Sequence, residues 1–346
     1  MNLTVIKPGM LTTVQDLGRR GYQGVGVPVS GPMDAYSHRL ANHVLGNDAM
    51  AAALEITLMG PELVADGDVV CAVAGAEIDV TVDGSPVLPN VPFDVPSGAR
   101  LRCGARRRGA RMTLAVRGGI DVPATLGSRA THLVSQMGPF GGRSLRAGDE
   151  LPVGAKGAKG ARGAKGAKGA GAKGAHGAEG AQGAEGAKGA EGAAPVPLEL
   201  PDGGARVRVL PAVHRERFTD GAWDTLIGSR YMVTPQSNRM GYRLEGPALT
   251  HVAAADILSE AMPVGSMQVP SSGQPILLLA ECATTGGYAT IANVITADLP
   301  VAGQLAPGDW IEFQPCTRDE ARAALRAREA ALAGVGARSD EGQTRV

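Results

Sequence analysis

The sequence predicts a mainly β fold of barrels or sandwiches with few helices. Short apolar runs alternate with Gly, Pro and Asp residues throughout the chain, as in residues 69–73 (VVCAV), 78–82 (IDVTV), 112–116 (MTLAV) and 276–279 (ILLL). This pattern is typical of short strands joined by tight turns. Aromatic residues make up only 3% of the chain, so the core must consist of Val, Leu, Ile and Ala.

Four markers recur in the same order in two parts of the chain, which indicates a duplicated unit. The markers are the Gln…Arg…Gly-Tyr frames at 15–22 and 236–242, the glutamates Glu55 and Glu260 with a glycine five positions later, the glycine pairs at 118–119 and 286–287, and the Leu-x-x-Gly-Asp motifs at 145–149 and 305–309.

A low-complexity tract separates the two parts. Residues 154–194 repeat Gly-Ala-X, where X is mostly Lys or Glu. Collagen has the same glycine period, but this tract lacks proline and cannot bury enough apolar surface to order itself. We therefore predict a first β-barrel unit at 1–153, a flexible linker at 154–204, a second barrel unit with a C-terminal helix at 205–334 and a disordered tail at 335–346.

Three helix starts are recognisable. Asp34 can cap a helix over residues 35–45, and Thr219 can cap a short helix around Trp223. Thr317 and Glu320 form a capping box at the start of the C-terminal helix.

Charge and hydropathy exclude several classes of protein. The chain carries 34 basic and 34 acidic residues, so it lacks the basic surplus expected of a nucleic-acid-binding protein. No apolar run approaches the ~18 residues of a membrane span. The four cysteines are far apart and form no Cys-x-x-Cys pair, which favours reduced thiols and a cytoplasmic location.

Motifs of self-contained enzymes are absent. The sequence has no Walker loop, no nucleophile elbow, no His-Glu-x-x-His motif and no Met-Lys-Met site for covalent biotin. Cys282 has no histidine near it in sequence, so we interpret it as a small buried side chain. These absences favour an active site shared with another protein chain.

The polar side chains of the two repeated frames are candidates for substrate binding. Arginine binds carboxylates through a planar fork, and glutamine both donates and accepts hydrogen bonds. A structural Arg–Asp pair in a tight loop is the alternative interpretation. The candidates are Gln15, Asp16, Arg19, Gln236, Arg239 and Tyr242.

The repeated glutamates and one glycine loop are further candidates. Glu55 and Glu260 are candidate catalytic bases or ligands of an ATP-bound Mg²⁺, although their equivalence in the repeat also allows a role in the fold. Thr284 and Thr285 precede a glycine pair whose backbone can face an oxyanion, with a plain hairpin as the alternative. Gln268 is expected to point into the same cleft.

A family resemblance rests on residues 13–19 (TVQDLGR), 31–34 (GPMD), 53–57 (ALEIT), 118–123 (GGIDVP), 126–129 (LGSR), 233–244 (VTPQSNRMGYRL), 265–270 (GSMQVP) and 285–288 (TGGY). These segments closely resemble the biotin-dependent carboxyltransferase/allophanate hydrolase subunit 2 family. The resemblance covers residues 3–320 apart from the linker.

The resemblance implies two tandem cyclophilin-like β-barrels, carboxyltransferase subdomains A and B. It implies a partner like the B subunit of 5-oxoprolinase, with the companion subdomains, and a third hydrolase component like the A subunit of that enzyme. Such complexes use ATP with Mg²⁺ to open the cyclic amide 5-oxoproline to glutamate. The family pattern has Asp at Glu281 and often Pro at Ala289, so this chain departs from it beside the glycine loop.

Three functions follow from the resemblance. The first is a subunit of an ATP-dependent complex that hydrolyses 5-oxoproline. The second is a carboxyltransferase that acts on urea with biotin carried by another chain. The third is a non-catalytic regulator that antagonises a kinase inhibitor. Fold and motifs are shared by all three.

Overall fold

The computed structural model describes residues 1–155 and 197–334. The predicted Gly-Ala-X linker therefore lies mostly outside the described residues, and the predicted tail lies wholly outside them. Within the described ranges the chain is mainly β, with five helices, as predicted. In the same part of the chain, no helix combines the length and the apolar character needed to cross a membrane.

The first half folds as a curled sheet of nine strands. They are β1 (Asn2–Lys7), β2 (Leu11–Gln15), β3 (Ala53–Thr57), β4 (Glu62–Ala65), β5 (Val69–Val82), β6 (Ser85–Pro86), β7 (Phe93–Val95), β8 (Arg100–Val116) and β9 (Glu150–Pro152). The main path runs β2-β3-β8-β4-β1-β9, and β5 pairs with β6, β7 and β8. Its inner face buries an aliphatic cluster that includes Leu54, Leu63, Leu101 and Leu114.

Two of the predicted apolar runs of the first half belong to one strand. Residues 69–73 and 78–82 both lie in β5, whose register shifts between Gly75 and Val80 against β8. Extra residues in one strand bend it and increase its twist. The long bent strand therefore curls the sheet around its own core.

The second half forms a closed barrel of seven strands in the order β10-β17-β14-β15-β12-β11-β18. Its strands are β10 (Gly204–Pro211), β11 (Arg230–Val233), β12 (Gly241–Glu245), β14 (Ser266–Gln268), β15 (Ile276–Leu278), β17 (Thr290–Val294) and β18 (Trp310–Pro315). Two further strands, β13 (Asp256–Ala261) and β16 (Thr285–Tyr288), form a separate two-stranded sheet in the described part of the chain. We call this pair the ribbon.

The helices are α1 (Ala35–Val44), α2 (Pro139–Gly142), α3 (Asp220–Gly228), α4 (Leu299–Gly303) and α5 (Arg318–Ala333). The three predicted caps are confirmed, because Asp34, Thr219 and Thr317 each accept a hydrogen bond from a backbone N–H in the first turn. These bonds satisfy donors that have no partner inside the helix.

Helix α5 of the second half reaches the first half. Leu332 is buried in a cluster with Leu40 and Leu45 of the α1 region, and Arg39 of α1 forms a bidentate pair with Glu329. Leu198 joins the same cluster, so the described residues after the tract also pack on the first half. The two halves therefore share one apolar cluster.

Candidate functional site

A cavity of about 190 Å³ opens on the surface of the second-half barrel. Strands β12, β14 and β15 form its floor, and the turn before β12 and the residues leading into β16 form its rim. Its polar lining consists of Gln236, Asn238, Arg243, Gln268 and Thr285. We call this cavity the Gln268 groove, and its volume lies below the roughly 300–1,000 Å³ of ordinary ligand pockets, so it admits only a small molecule.

Gln268 is the most deeply placed polar side chain of the groove. Only 7% of its surface is exposed, and its amide Nε2 has no hydrogen-bond partner among the described residues. A buried N–H group without a partner costs about 1–3 kcal/mol. The Gln268 amide therefore has unused donor capacity beneath the groove surface.

Glycine in β16 makes room for this amide. A Cβ atom on Gly286 would lie 2.3 Å from Nε2 of Gln268, whereas a Cβ on Gly287 would meet nothing closer than 3.6 Å. Any side chain at position 286 would therefore displace the amide. This close approach gives a physical reason for the first glycine of the predicted loop.

Glu260 lies on the ribbon rather than in the barrel. It pairs in register with Gly286, and its carboxylate stands 3.6 Å from Nε2 of His214. Its side chain is 41% exposed. Thr284 contributes its backbone carbonyl, which accepts from Met262 N at 3.0 Å, while Thr285 lines the groove.

The first-half candidates lie in a buried loop cluster. Asp16 accepts from Ser128 Oγ and Arg129 N at 2.6 Å each and from Gly18 N at 2.9 Å. Gln15 donates to the Thr131 carbonyl at 3.1 Å. These contacts join the end of β2 to residues 128–131 and favour a structural role for both side chains.

Arg19 is buried in the same cluster with 1% of its surface exposed. Its Nη2 donates to the Ala130 carbonyl, whereas Nε and Nη1 have no partner in the described part of the chain. Burial lowers the pKa of Arg19, and the nearby carboxylates of Asp16 and Glu281 oppose that effect. Arg19 and Asp16 form no ion pair, so the predicted alternative of an Arg–Asp pair does not describe this loop.

Arg239 joins the two halves instead of facing the groove. Its Nη1 donates to Glu55 of β3, its Nε donates to Glu281 at 2.6 Å, and its Nη2 donates to the Gly31 carbonyl at 2.6 Å. Burial alone would lower the pKa of Arg239, but the two carboxylates outweigh burial and raise it. All three charged side chains are deeply buried, being 4%, 3% and 1% exposed respectively.

A second polar network lies at the same junction. Gln304 donates to Asp34 Oδ2 at 2.6 Å and accepts from Ala110 N and Arg111 N at 2.9 Å each. Arg111 of β8 in turn donates to the hydroxyl of Tyr242 at 2.8 Å. Tyr242 is therefore part of the contact between the halves, and it is 1% exposed.

The structure thus separates the predicted site residues into two groups. The groove brings together Gln236, Gln268 and Thr285, with Glu260 and Thr284 on the adjoining ribbon and loop. The junction and the buried loop contain the remaining candidates, namely Gln15, Asp16, Arg19, Glu55, Arg239 and Tyr242. The catalytic role of Glu55 stays a prediction, and its burial with Arg239 favours a positioning role.

Sequence reasoning missed several residues of these sites. Asn238 lies inside the Gln236–Tyr242 segment, and Arg243 directly follows it. Their polar side chains within a segment already singled out could have identified them as candidates. Glu281 was visible as a departure from the family pattern. His214 and Gln304 carry no local motif, because their partners are far away in sequence.

Cys282 lines the groove but is not poised as a nucleophile. It is 7% exposed, and burial raises the pKa of its thiol to about 11. The thiolate, which is the nucleophilic form, is therefore scarce at neutral pH. This setting agrees with the interpretation of Cys282 as a small buried side chain.

The described residues do not fit a Mg²⁺ site. Within residues 1–155 and 197–334, no group of three or more His, Cys, Asp or Glu side chains is placed to hold a metal ion. Both carboxylate oxygens of Glu55 are engaged, one by Arg239 and the other by Met33 N at 2.6 Å. Glu260 stands beside His214 and belongs to no such group among the described residues, so these side chains alone form no Mg²⁺–ATP cage.

Together, the curled sheet, the closed barrel and the polar groove define a carboxyltransferase-type pair of β domains. The family described as carboxyltransferase domain, subdomain A and B, matches residues 25–315. The chain belongs to this family.

Full-length relatives are similar over nearly the whole chain. It is 36% identical to the C subunit of 5-oxoprolinase from Escherichia coli (strain K12), over 94% of each protein. It is 32% identical to the C subunit of 5-oxoprolinase from Haemophilus influenzae, over 92% of each protein. The crystal structure of the Kluyveromyces lactis urea amidolyase superposes with a TM-score of 0.84 at 29% identity, and this chain spans 20% of that longer chain.

Proposed function

We propose that this chain is the C subunit of an ATP-dependent 5-oxoprolinase, a complex that opens the ring amide of 5-oxoproline to give glutamate. The relatives named as this component of 5-oxoprolinase match it over nearly their whole length, whereas the urea amidolyase is several times longer. The hydrolase activity belongs to the assembled complex rather than to this chain alone.

The Gln268 groove is the observation that carries this proposal. Gln268 lines a cavity of about 190 Å³, a size that suits a small cyclic amide with one carboxylate, and its buried amide nitrogen has no partner among the described residues. Gln268 would donate to the ring carbonyl oxygen of the substrate. The exposed guanidinium of Arg243 would attract the carboxylate, and Thr285 and Asn238 would complete the polar rim.

The partners follow from what the described part of this chain lacks. We propose that a protein like the B subunit of 5-oxoprolinase makes most of the contacts to ATP and Mg²⁺. The reason is that the described residues of this chain offer no cage of carboxylates for the metal ion. A third protein, like the A subunit of that enzyme, would complete the hydrolase. Bound ATP supplies the free energy of amide cleavage, and the role of this chain is to hold the amide in the Gln268 groove.

A carboxyltransferase acting on urea is the second candidate function. The superposition on the Kluyveromyces lactis urea amidolyase is the observation that favours it. That reaction would need a biotinylated protein from another chain. It would therefore be inhibited by avidin, whereas 5-oxoproline cleavage would not.

The test is reconstitution with the companion proteins and measurement of ADP release. We expect ADP release that depends on 5-oxoproline and on this chain, and that avidin does not change. ADP release without this chain would contradict the proposal. Turnover of urea, but not of 5-oxoproline, in an avidin-sensitive reaction would establish the second candidate instead.

A further inference from the structure

His214 lies between the ribbon and the barrel, and the repeated motifs do not include it. Its side chain is 16% exposed. Its Nδ1 lies 3.0 Å from Thr290 Oγ1 and 3.4 Å from the Thr290 backbone nitrogen. Its Nε2 lies 3.6 Å from the carboxylate of Glu260. The imidazole therefore stands between a hydroxyl and a carboxylate.

These contacts favour one tautomer of a neutral imidazole. The backbone N–H of Thr290 can only donate, and its 3.4 Å contact is used when Nδ1 of His214 accepts and Nε2 carries the proton. That proton faces Glu260. The separation of 3.6 Å lies within ion-pair distance and is longer than a hydrogen bond, and the Glu260 side chain is 41% exposed.

Strand register places Glu260 on the face of the ribbon that meets the Gln268 amide, beside rather than within the groove lining. Glu260 of β13 is directly opposite Gly286 of β16, and opposite residues of an antiparallel pair project from the same face. The space above Gly286 on that face is occupied by Nε2 of Gln268 and by Met262. Gln268 itself is paired in register with Thr290, which contacts His214.

We propose that Glu260 and His214 form the proton-transfer pair for the substrate bound in the Gln268 groove, an inference that rests on the proposed function. Gln268 would hold the amide carbonyl, and Glu260 with His214 would stand beside it on the ribbon. Thr290 is a positioning residue, because it holds the imidazole with Nε2 toward Glu260.

The proton balance of the step is simple. Cleavage is driven by the ATP that the partner would hold, and the part proposed for this chain is the proton transfer alone. As water adds to the activated amide carbon and a C–O bond forms, Glu260, with His214 beside it, takes one proton from that water. The same proton passes to the ring nitrogen as the C–N bond breaks. Transfer of this kind contributes about 10²–10⁴-fold to a rate.

The test compares variants in the complete reconstituted complex. We expect Glu260→Gln and His214→Asn each to lower kcat for 5-oxoproline roughly 100-fold with KM within about threefold. His214→Asn keeps an acceptor near Thr290 and so preserves the local fold. The double variant should lose no more than the slower single variant, because the two groups act as a unit. Glu245→Gln and His43→Gln, which lie elsewhere, are the matched controls.

A second readout does not depend on turnover. Nitrogen-15 NMR of the full chain should show the Nε2–H tautomer of His214 in the wild type and also in Thr290→Val, which keeps the backbone N–H that donates to Nδ1. Wild-type turnover together with a loss of less than threefold in both single variants would overturn this inference and leave the proposed function standing. A Nδ1–H tautomer would also overturn it. Absence of 5-oxoproline turnover by the wild-type complex would overturn the proposed function and this step with it.

Discussion

Arg239 of the second half and Glu55 of the first half form an ion pair in the protein interior, where their side chains are 4% and 3% exposed. Glu281 binds the same guanidinium at 2.6 Å, and it directly precedes Cys282 of the groove wall. The ion pair thus holds the rim of the groove against the first half. Both residues are placed to position the elements that line the groove, and the predicted substrate-binding role of Arg239 and the catalytic role of Glu55 stay predictions.

Replacement of Arg239 tests this positioning role. Removing one member of a buried ion pair leaves its partners charged and unpaired, at a cost of about 3–5 kcal/mol. We expect Arg239→Met to lower the free energy of unfolding by that amount in urea titrations. Arg206→Met, which breaks the exposed pair with Glu312, should cost about 1 kcal/mol or less. Equal effects of the two substitutions would contradict the positioning role.

Helix α5 provides a second link between the halves. Leu332 packs in a cluster with side chains of α1 and is 1% exposed, whereas Leu325 of the same helix is 37% exposed. We expect Leu332→Ala to cost about 3 kcal/mol of unfolding free energy, within the range known for cavity-forming substitutions. Leu325→Ala should cost about 1 kcal/mol or less. The measurement is the urea midpoint of each variant, and an unaffected Leu332→Ala would show that α5 does not fasten the halves.

His38 predicts a dependence of stability on pH. Burial lowers its pKa from 6.5 to about 4, so the folded protein keeps this imidazole neutral when the unfolded chain binds a proton. Stability is unaffected above pH 6.5 and falls as the pH drops from 6.5 toward 4. The full loss is about 3 kcal/mol.

The difference between wild type and His38→Gln isolates this effect from other titrating groups. The free energy of unfolding of the wild type should approach that of the variant as the pH falls through this window. His43→Gln is the control, because His43 is only half-buried on the same helix. Parallel pH curves for wild type and His38→Gln would rule out this contribution.

Gly286 and Gly287 form a matched pair for the groove. A methyl group on Gly286 would push the Gln268 amide out of position, whereas one on Gly287 meets only ordinary contacts. We expect Gly286→Ala to raise KM for 5-oxoproline at least tenfold in the reconstituted complex. Gly287→Ala should stay within about twofold, and equal behaviour would mean that Gln268 does not bind substrate.

The parts of the fold that were predicted depend on local chemistry. The side-chain oxygens of Asp34, Thr219 and Thr317 each accept from an N–H group three residues further on. Each cap therefore depends only on neighbouring residues and can be recognised in the sequence. The turn after residues 78–82 also depends on neighbouring residues. Asp83 and Gly84 both adopt positive φ, at 48° and 84°, and the Asp-Gly pair favours this conformation.

The parts that were missed depend on contacts between distant residues. Arg239 meets Glu55 across 184 positions, and Gln304 meets Asp34 across 270. Nothing in the sequence near Arg239 distinguishes an interior ion pair from a substrate-binding fork. His214 likewise reaches Glu260 only because the ribbon folds over the barrel, so its role is visible only in three dimensions.

The most direct test of the central claim is the activity of Gln268→Met in the complete complex. Methionine has nearly the same shape as glutamine but cannot donate a hydrogen bond to the amide. Gln314→Met, on the exposed part of β18, is the matched control. We expect 5-oxoproline-dependent ADP release to fall at least tenfold at low substrate concentration in Gln268→Met and to be unchanged in Gln314→Met. Full activity of Gln268→Met, alongside an active wild-type complex, would contradict the assignment of the groove as the substrate site.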